Sequence, residues 1–275
     1  MKKTVLLLFI IFYFTDAISA PSSFSVVTFA ISEYQDSWQK NSSQSKETAN
    51  ALVNSFSSNI KEHYPKIKFD SKQYFDADVT KSLFTGSTPD KYNFVFYKGH
   101  GGPNSITMWP KYEYVYNTSK KFGGKTYWVL LRSCLVFKNG ESDQDPWFNG
   151  VHSILGYSSK SWNYGKYKHY YRCGFLRCSY SRASSYVERD FATNWIEDKL
   201  GIWESYKNAV FKWIYKEKGK GVQPKIVYRY GYVDGKFFDP WEEKFENSIQ
   251  KPVFKNAGEY DGIGSRWNTM GTPEY

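Results

Sequence analysis

The sequence predicts an α/β fold: a single domain with a mostly parallel central sheet flanked by helices. Three observations predict it. Several short apolar runs are unbroken rather than alternating, as in strands buried on both faces. Segments of helical period lie between them. No internal repeat and no clear linker divides the chain, so the elements belong to one unit.

The first residues stand apart from the fold. Lys2 and Lys3, the apolar run Val5 to Phe14, and Ala17-Ile18-Ser19-Ala20 have the charged, apolar and small-residue parts of a secretory signal. Residues 1–20 are therefore read as a signal peptide cleaved near Ser19 or Ala20. The run is too short to span a bilayer. A secreted protein with no membrane attachment after cleavage is the expectation.

Residues 21–235 are read as the α/β domain and 236–275 as an irregular C-terminal extension packed on it. Phe24 to Ile31 reads as a buried strand, and Glu33 to Gln44 as polar linker. Ala49, Leu52, Val53, Phe56 and Ile60 share one helical face, predicting a helix over 45–61 that Pro65 stops. Ile67 to Tyr74 reads as a short strand. Tyr92 to Tyr97 and Tyr127 to Leu131 read as central strands, and Val151 to Tyr157 as a third. Ser185-Tyr186-Val187-Glu188 has the form of a capping box, opening a helix that runs to about Leu200 with Gly201 as its C-cap. A second helix follows over Ile202 to Ile214. Pro224 precedes a strand over Lys225 to Val233.

Composition excludes several classes. Aromatic residues make up 20% of the 275 residues, too many for a disordered chain. A mean hydropathy of −0.61 excludes a multi-span membrane protein. Three cysteines are too few for a disulfide-dense scaffold. Cys173 and Cys178 flank Gly174 closely enough for a hairpin-like disulfide, which leaves Cys134 as the odd thiol. Asn41 and Asn117 head glycosylation sequons. No two of His63, His100, His152 and His169 have ligand spacing, so neither metal nor cofactor is expected.

The charge of +10 is uneven. Residues 158–187 carry Lys160, Lys166, Lys168, Arg172, Arg177 and Arg182 among aromatics, and no acid. This stretch reads either as a solvated loop whose tyrosines serve packing or as a surface loop near the site for an anionic glycan or an acidic peptide. Secretion argues against nucleic acid.

Two strand ends carry chemistry. Tyr92 to Tyr97 runs into Lys98-Gly99-His100-Gly101-Gly102, and Tyr127 to Leu131 into Arg132-Ser133-Cys134. In open α/β sheets functional residues gather at the carboxyl ends of strands. If the two strands are parallel neighbours, His100 and Cys134 emerge on one edge, as a thiol nucleophile and its proton-transfer partner require. Gly101 and Gly102 permit positive φ and close backbone approach, and their N–H groups suit an oxyanion. Lys98 and Arg132 add a positive field that favours thiolate.

These blocks resemble the caspase-like cysteine peptidases, the group of caspases, legumains, gingipains, clostripain and separase. The resemblance rests on His100-Gly101 and Ser133-Cys134 with their preceding strands. Trp147 to Tyr157 is similar to the strand after the nucleophile in a secreted gingipain-like group. The caspase pentapeptide is absent, so the resemblance is to the superfamily. It implies a caspase-hemoglobinase-like fold, a protein or peptide substrate, and no cofactor. It implies Cys134 as nucleophile, His100 as general acid/base, and the backbone N–H groups of Gly101 and Cys134 as oxyanion hole. Gly102, Arg132, Ser133 and His152 are further site-lining candidates. Arg132 would favour an acidic side chain before the scissile bond; Asp76, Asp78, Asp143 or Asp145 would favour a basic one. The alternative is an inactive caspase-like fold that binds glycan or acidic peptide.

Overall fold

A computed structural model describes residues 21–34, 44–110, 113–161, 167–173, 176–182, 185–213 and 222–268; for 167–173, 176–182 and 185 it describes the backbone alone. The strands are β1 (Ser23–Ala30), β2 (Lys68–Phe75), β3 (Phe94–Lys98), β4 (Gly101–Gly102), β5 (Ser105–Met108), β6 (Glu113–Tyr116), β7 (Trp128–Arg132), β8 (Ser153–Tyr157), β9 (Tyr167–Cys173), β10 (Leu176–Arg182), β11 (Pro224–Val233), β12 (Lys236–Phe238) and β13 (Gly262–Trp267). The helices are α1 (Ser45–His63), α2 (Lys81–Thr85), α3 (Ser185–Ile196) and α4 (Ile202–Trp213).

Eight of the described strands build a sheet in the order β12-β11-β8-β7-β3-β1-β2, with β13 on β11, while β4-β5-β6 and β9-β10 form two smaller sheets. Strands β2, β1, β3, β7 and β8 run parallel, and β11 returns antiparallel. The fold is thus α/β and mostly parallel. The unbroken apolar runs have their cause in the two cores. Phe24, Val26, Phe94, Phe96, Trp128 and Leu130 face α1, α3 and α4. Val27, Phe29, Val95, Tyr97, Val129 and Leu131 face the other way, against Phe84, Ile106, Met108 and Trp147. Alternate side chains of one strand thus enter different cores.

Three local readings are corrected. Glu188 does not close a capping box; its carboxylate is fully buried against Arg132. Gly201 does not cap α3, which ends at Ile196; its carbonyl accepts from Ser205 N–H at the start of α4. The segment after 235 is more than irregular covering, because β13 joins the sheet through β11.

Glu243, in that segment, is a hub at the amino-terminal edge of the parallel strands. Its carboxylate accepts from Trp128 Nε1 (2.7 Å), His152 Nδ1 (2.9 Å) and Ile249 N–H (2.9 Å). Its carbonyl accepts from Trp195 Nε1 at 3.1 Å. His152 Nε2 lies 2.9 Å from the Lys251 carbonyl.

A candidate cysteine–histidine site

The register of β3 and β7 sets the site. The two strands are parallel neighbours, with Lys98 opposite Arg132. His100 and Cys134 each lie two residues further on, at equivalent places on the carboxyl edge. The side of contact is set by Gly101: a Cβ there would stand 2.7 Å from Ser133 Oγ and 2.8 Å from Ser133 Cβ. The His-Gly and Ser-Cys segments therefore touch. Neither Gly101 nor Gly102 has a positive φ, which corrects the expected reason for these glycines. Gly101 is required for space.

Each segment is fixed from its own side. Thr107 N–H donates to the His100 carbonyl at 3.0 Å. By the alternation of an antiparallel ladder, the next pair, Gly101 and Ile106, is non-hydrogen-bonded, and the Gly101 N–H turns away from β5. Tyr34 Oη accepts from the His100 N–H at 2.8 Å, and Tyr97 Oη donates to the His100 carbonyl at 3.1 Å. The Tyr34 and His100 rings lie 4.9 Å apart, tilted by 37°. Sequence reading placed Tyr34 in a polar linker; its one signal was an aromatic just past the end of a buried strand.

Cys134 is half-buried and begins a sharp turn. Leu135 there has φ +60°, a conformation that costs a branched side chain about 1–3 kcal/mol. Hydrogen bonds from Leu135 N–H to Ser159 O (2.8 Å) and from Phe137 N–H to Tyr157 O (3.0 Å) hold it. The thiol donates to Ser161 O at 3.5 Å.

Beneath the edge lies a buried polar cluster. Lys98 is 1% exposed and Arg132 0%, on the face covered by α3. Arg132 pairs with Glu188, and among the described residues its Nε and Nη2, Ser133 Oγ and Glu188 Oε2 find no hydrogen-bond partner. Burial first, then the Arg132 guanidinium, pushes the Lys98 amine well below its usual range, against the pull of Glu188 and Cys134. Burial also opposes the charge on Arg132, but Glu188 first, then Tyr157 and Tyr206, raise its pKa. The expected positive field is therefore weaker than the sequence implied: one cation is neutralised by Glu188 and the other is driven toward its neutral form.

Two lining candidates are corrected. Arg132 is sealed under the site and lines no surface. His152 precedes β8 and lies at the opposite edge of the sheet, in the Glu243 hub. Ser133 is buried beside Gly101, and Gly102 stays half-buried. The acids considered for a basic-specific pocket include Asp76, which holds Lys46 and the Ser32 and Glu33 N–H groups, and Asp145, which holds Arg229. Asn117 is buried and donates to the Asp143 carbonyl, whereas Thr118 and Ser119 of its sequon are exposed. Asn41 and residues 1–20 lie outside the described residues, as do the side chains of the basic stretch from 162 to 185. The backbone register sets Cys173 opposite Leu176 and Cys178 opposite Tyr171, so the two cysteines are diagonal rather than facing.

A cavity of about 950 Å³ also opens at the opposite edge, between the β11–β12 hairpin and residues 239–251. Its lining holds neither His100 nor Cys134, and the paired strand-end chemistry locates the site better than volume does. Among the described residues no helix is long and apolar enough to cross a membrane. No group of three His, Cys, Asp or Glu among them could hold a metal ion.

Comparison with known proteins adds the following. The family described as "Domain of unknown function (DUF6345)" matches residues 28–209. No curated protein matches the chain. Among solved structures it is similar to an inactive zymogen C11 protease from Parabacteroides distasonis, with 7% identity and a TM-score of 0.42. That match covers 76% of this chain and 62% of the protease chain.

Proposed function

The chain belongs to the DUF6345 family, and we propose that it is a caspase-like cysteine endopeptidase with Cys134 as nucleophile and His100 as general acid/base. One observation carries the reading: the Lys98–Arg132 register puts His100 and Cys134 at equivalent positions on one sheet edge, with Gly101 in contact with Ser133. In this reading the Cys134 thiolate attacks a peptide carbonyl carbon and forms the C–S bond. The oxyanion rests on the N–H groups of Gly101 and Cys134. His100 gives a proton to the amine as the C–N bond breaks. Water then attacks the thioester as His100 takes its proton, the C–S bond breaks to release the acid product, and Cys134 leaves as thiolate beside the reprotonated His100. The substrate is a protein or peptide. Residues 1–20 direct secretion, and N-terminal sequencing of secreted protein tests their removal near Ala20.

Thiol alkylation tests the dyad without knowledge of the substrate. Iodoacetamide should label Cys134 in the wild type faster at neutral pH than it labels an ordinary thiol of pKa about 8.5. His100→Ala should lose that advantage. Equal slow labelling of both proteins would falsify the dyad and leave a binding module as the reading.

A further inference from the structure

Two tyrosine hydroxyls close on the backbone of His100 from both sides. Tyr34, beyond β1, accepts from its N–H, and Tyr97, on β3, donates to its carbonyl. Gly99 lies between them: a Cβ there would stand 2.7 Å from Tyr34 Oη and closer still to Tyr97 Oη. The Tyr97 hydroxyl also reaches the Thr107 carbonyl on β5. Tyr34 is anchored in turn. Ile31 N–H donates to Lys98 O at 2.9 Å. Asp76 accepts from Ser32 N–H (2.7 Å) and Glu33 N–H (3.0 Å) and pairs with Lys46 at 2.5 Å. The chain leading to Tyr34 is thereby tied to β3 and to α1, and the ring reaches His100 on a fixed support.

We propose that Tyr34 is a positioning residue for His100: its hydroxyl fixes the His100 backbone and its ring holds the imidazole in the orientation that serves Cys134. The inference rests on the dyad reading above and extends it to the group that orients the histidine. Among the described residues, the titratable and charged groups on the elements that converge on His100 include Tyr34 and Asp76 at the β1 and β2 ends, Tyr97 and Lys98 on β3, and Arg132 and Cys134 at the end of β7. Of these, Tyr34 has its hydroxyl pushed up to about 12, chiefly by burial, and Tyr97 is raised further by burial and by Tyr34. Both hydroxyls keep their protons across the range in which a thiol–imidazole pair titrates, so neither imposes its own titration on a profile.

The test is the pH profile of Cys134 alkylation by iodoacetamide in full-length wild type, His100→Ala, Tyr34→Phe and Tyr34→Ala, each with its thermal melt. Wild type should show a reactive shoulder below the range of a free thiol, and His100→Ala should lose it. Tyr34→Ala should lower the shoulder about tenfold, which corresponds to about 1.4 kcal/mol. Tyr34→Phe keeps the ring and loses the hydroxyl, and should fall between. A shoulder retained in both Tyr34 variants but lost in His100→Ala overturns the positioning role alone. A shoulder retained in His100→Ala overturns the dyad itself. If Tyr34→Ala does not fold, Tyr34→Phe decides, and a profile equal to wild type overturns the proposal.

Discussion

Replacing Gly101 with alanine inserts a methyl group at the point where the two motif segments touch. The new carbon would lie 2.7 Å from Ser133 Oγ, 2.8 Å from Ser133 Cβ and 2.9 Å from the Ser105 carbonyl, where ordinary contact begins at 3.4 Å. Two of these neighbours are a Cβ and a backbone oxygen, which cannot rotate away. The segments must separate by several tenths of an ångström. Overpacking of this kind costs about 1–3 kcal/mol. In a chain of this size the loss lowers the melting temperature by about 2–4 °C per kcal/mol. Geometry suffers more than stability, since misplacement by about 1 Å costs a reaction roughly a hundredfold. Gly102 is the internal control. A Cβ there meets only Ser105 Oγ, at 3.5 Å, and its φ lies outside the left-handed region. Gly102→Ala should therefore be neutral, or stabilising by about 0.4–1 kcal/mol through the unfolded chain. Thermal melts and the His100-dependent alkylation of Cys134 read both effects. If the two alanine variants melt together and react alike, the close contact of Gly101 with Ser133 does not organise the site.

Three further outcomes follow from paired carboxylates. Glu243→Ala leaves the donors of Trp128, His152 and Ile249 without their acceptor, and urea unfolding should show a loss of about 3–5 kcal/mol. Glu188→Ala strands the Arg132 guanidinium and should cost about as much, whereas Arg132→Met combined with Glu188→Leu should recover most of the loss in the same assay. Burial works against the Asp76 carboxylate, but Lys46 and the N–H groups of Glu33 and Ser32 hold its pKa below the usual value. Its contribution is complete above the ordinary aspartate value of about 3.9 and fades as pH falls through the lower folded value, so the stability gap between wild type and Asp76→Asn should close in acid.

The parts of this protein legible in sequence are those encoded locally. The runs Phe94 to Tyr97 and Trp128 to Leu131 are apolar at successive positions because alternate residues enter two cores, and that pattern needs no partner to be read. His100 and Cys134 follow such runs directly, so their shared edge could be anticipated. What sequence hid depends on distant partners. Tyr34 becomes part of the site only because Asp76 and Lys98 fold its segment back. Arg132 looked like a site cation; whether it faces substrate or Glu188 is decided by α3, more than fifty residues further on. His152 carries no local mark that distinguishes the carboxyl edge of the sheet from the opposite one. The excess of aromatic residues gains a partial account: Tyr34 and Tyr97 hold His100, while Trp128 and Trp195 hold Glu243.

The Glu243 hub also bears on how the chain comes off the ribosome. Trp128, His152 and Trp195 precede their shared partner by 115, 91 and 48 residues. At about 5–20 residues per second, Trp128 waits roughly 6–23 s for it. During that interval the amino-terminal edge of β7 and β8 is an open aromatic surface with unsatisfied donors. The nascent chain is then a better client for a holding chaperone than the finished protein, and slowing translation before residue 243 should lengthen that exposure.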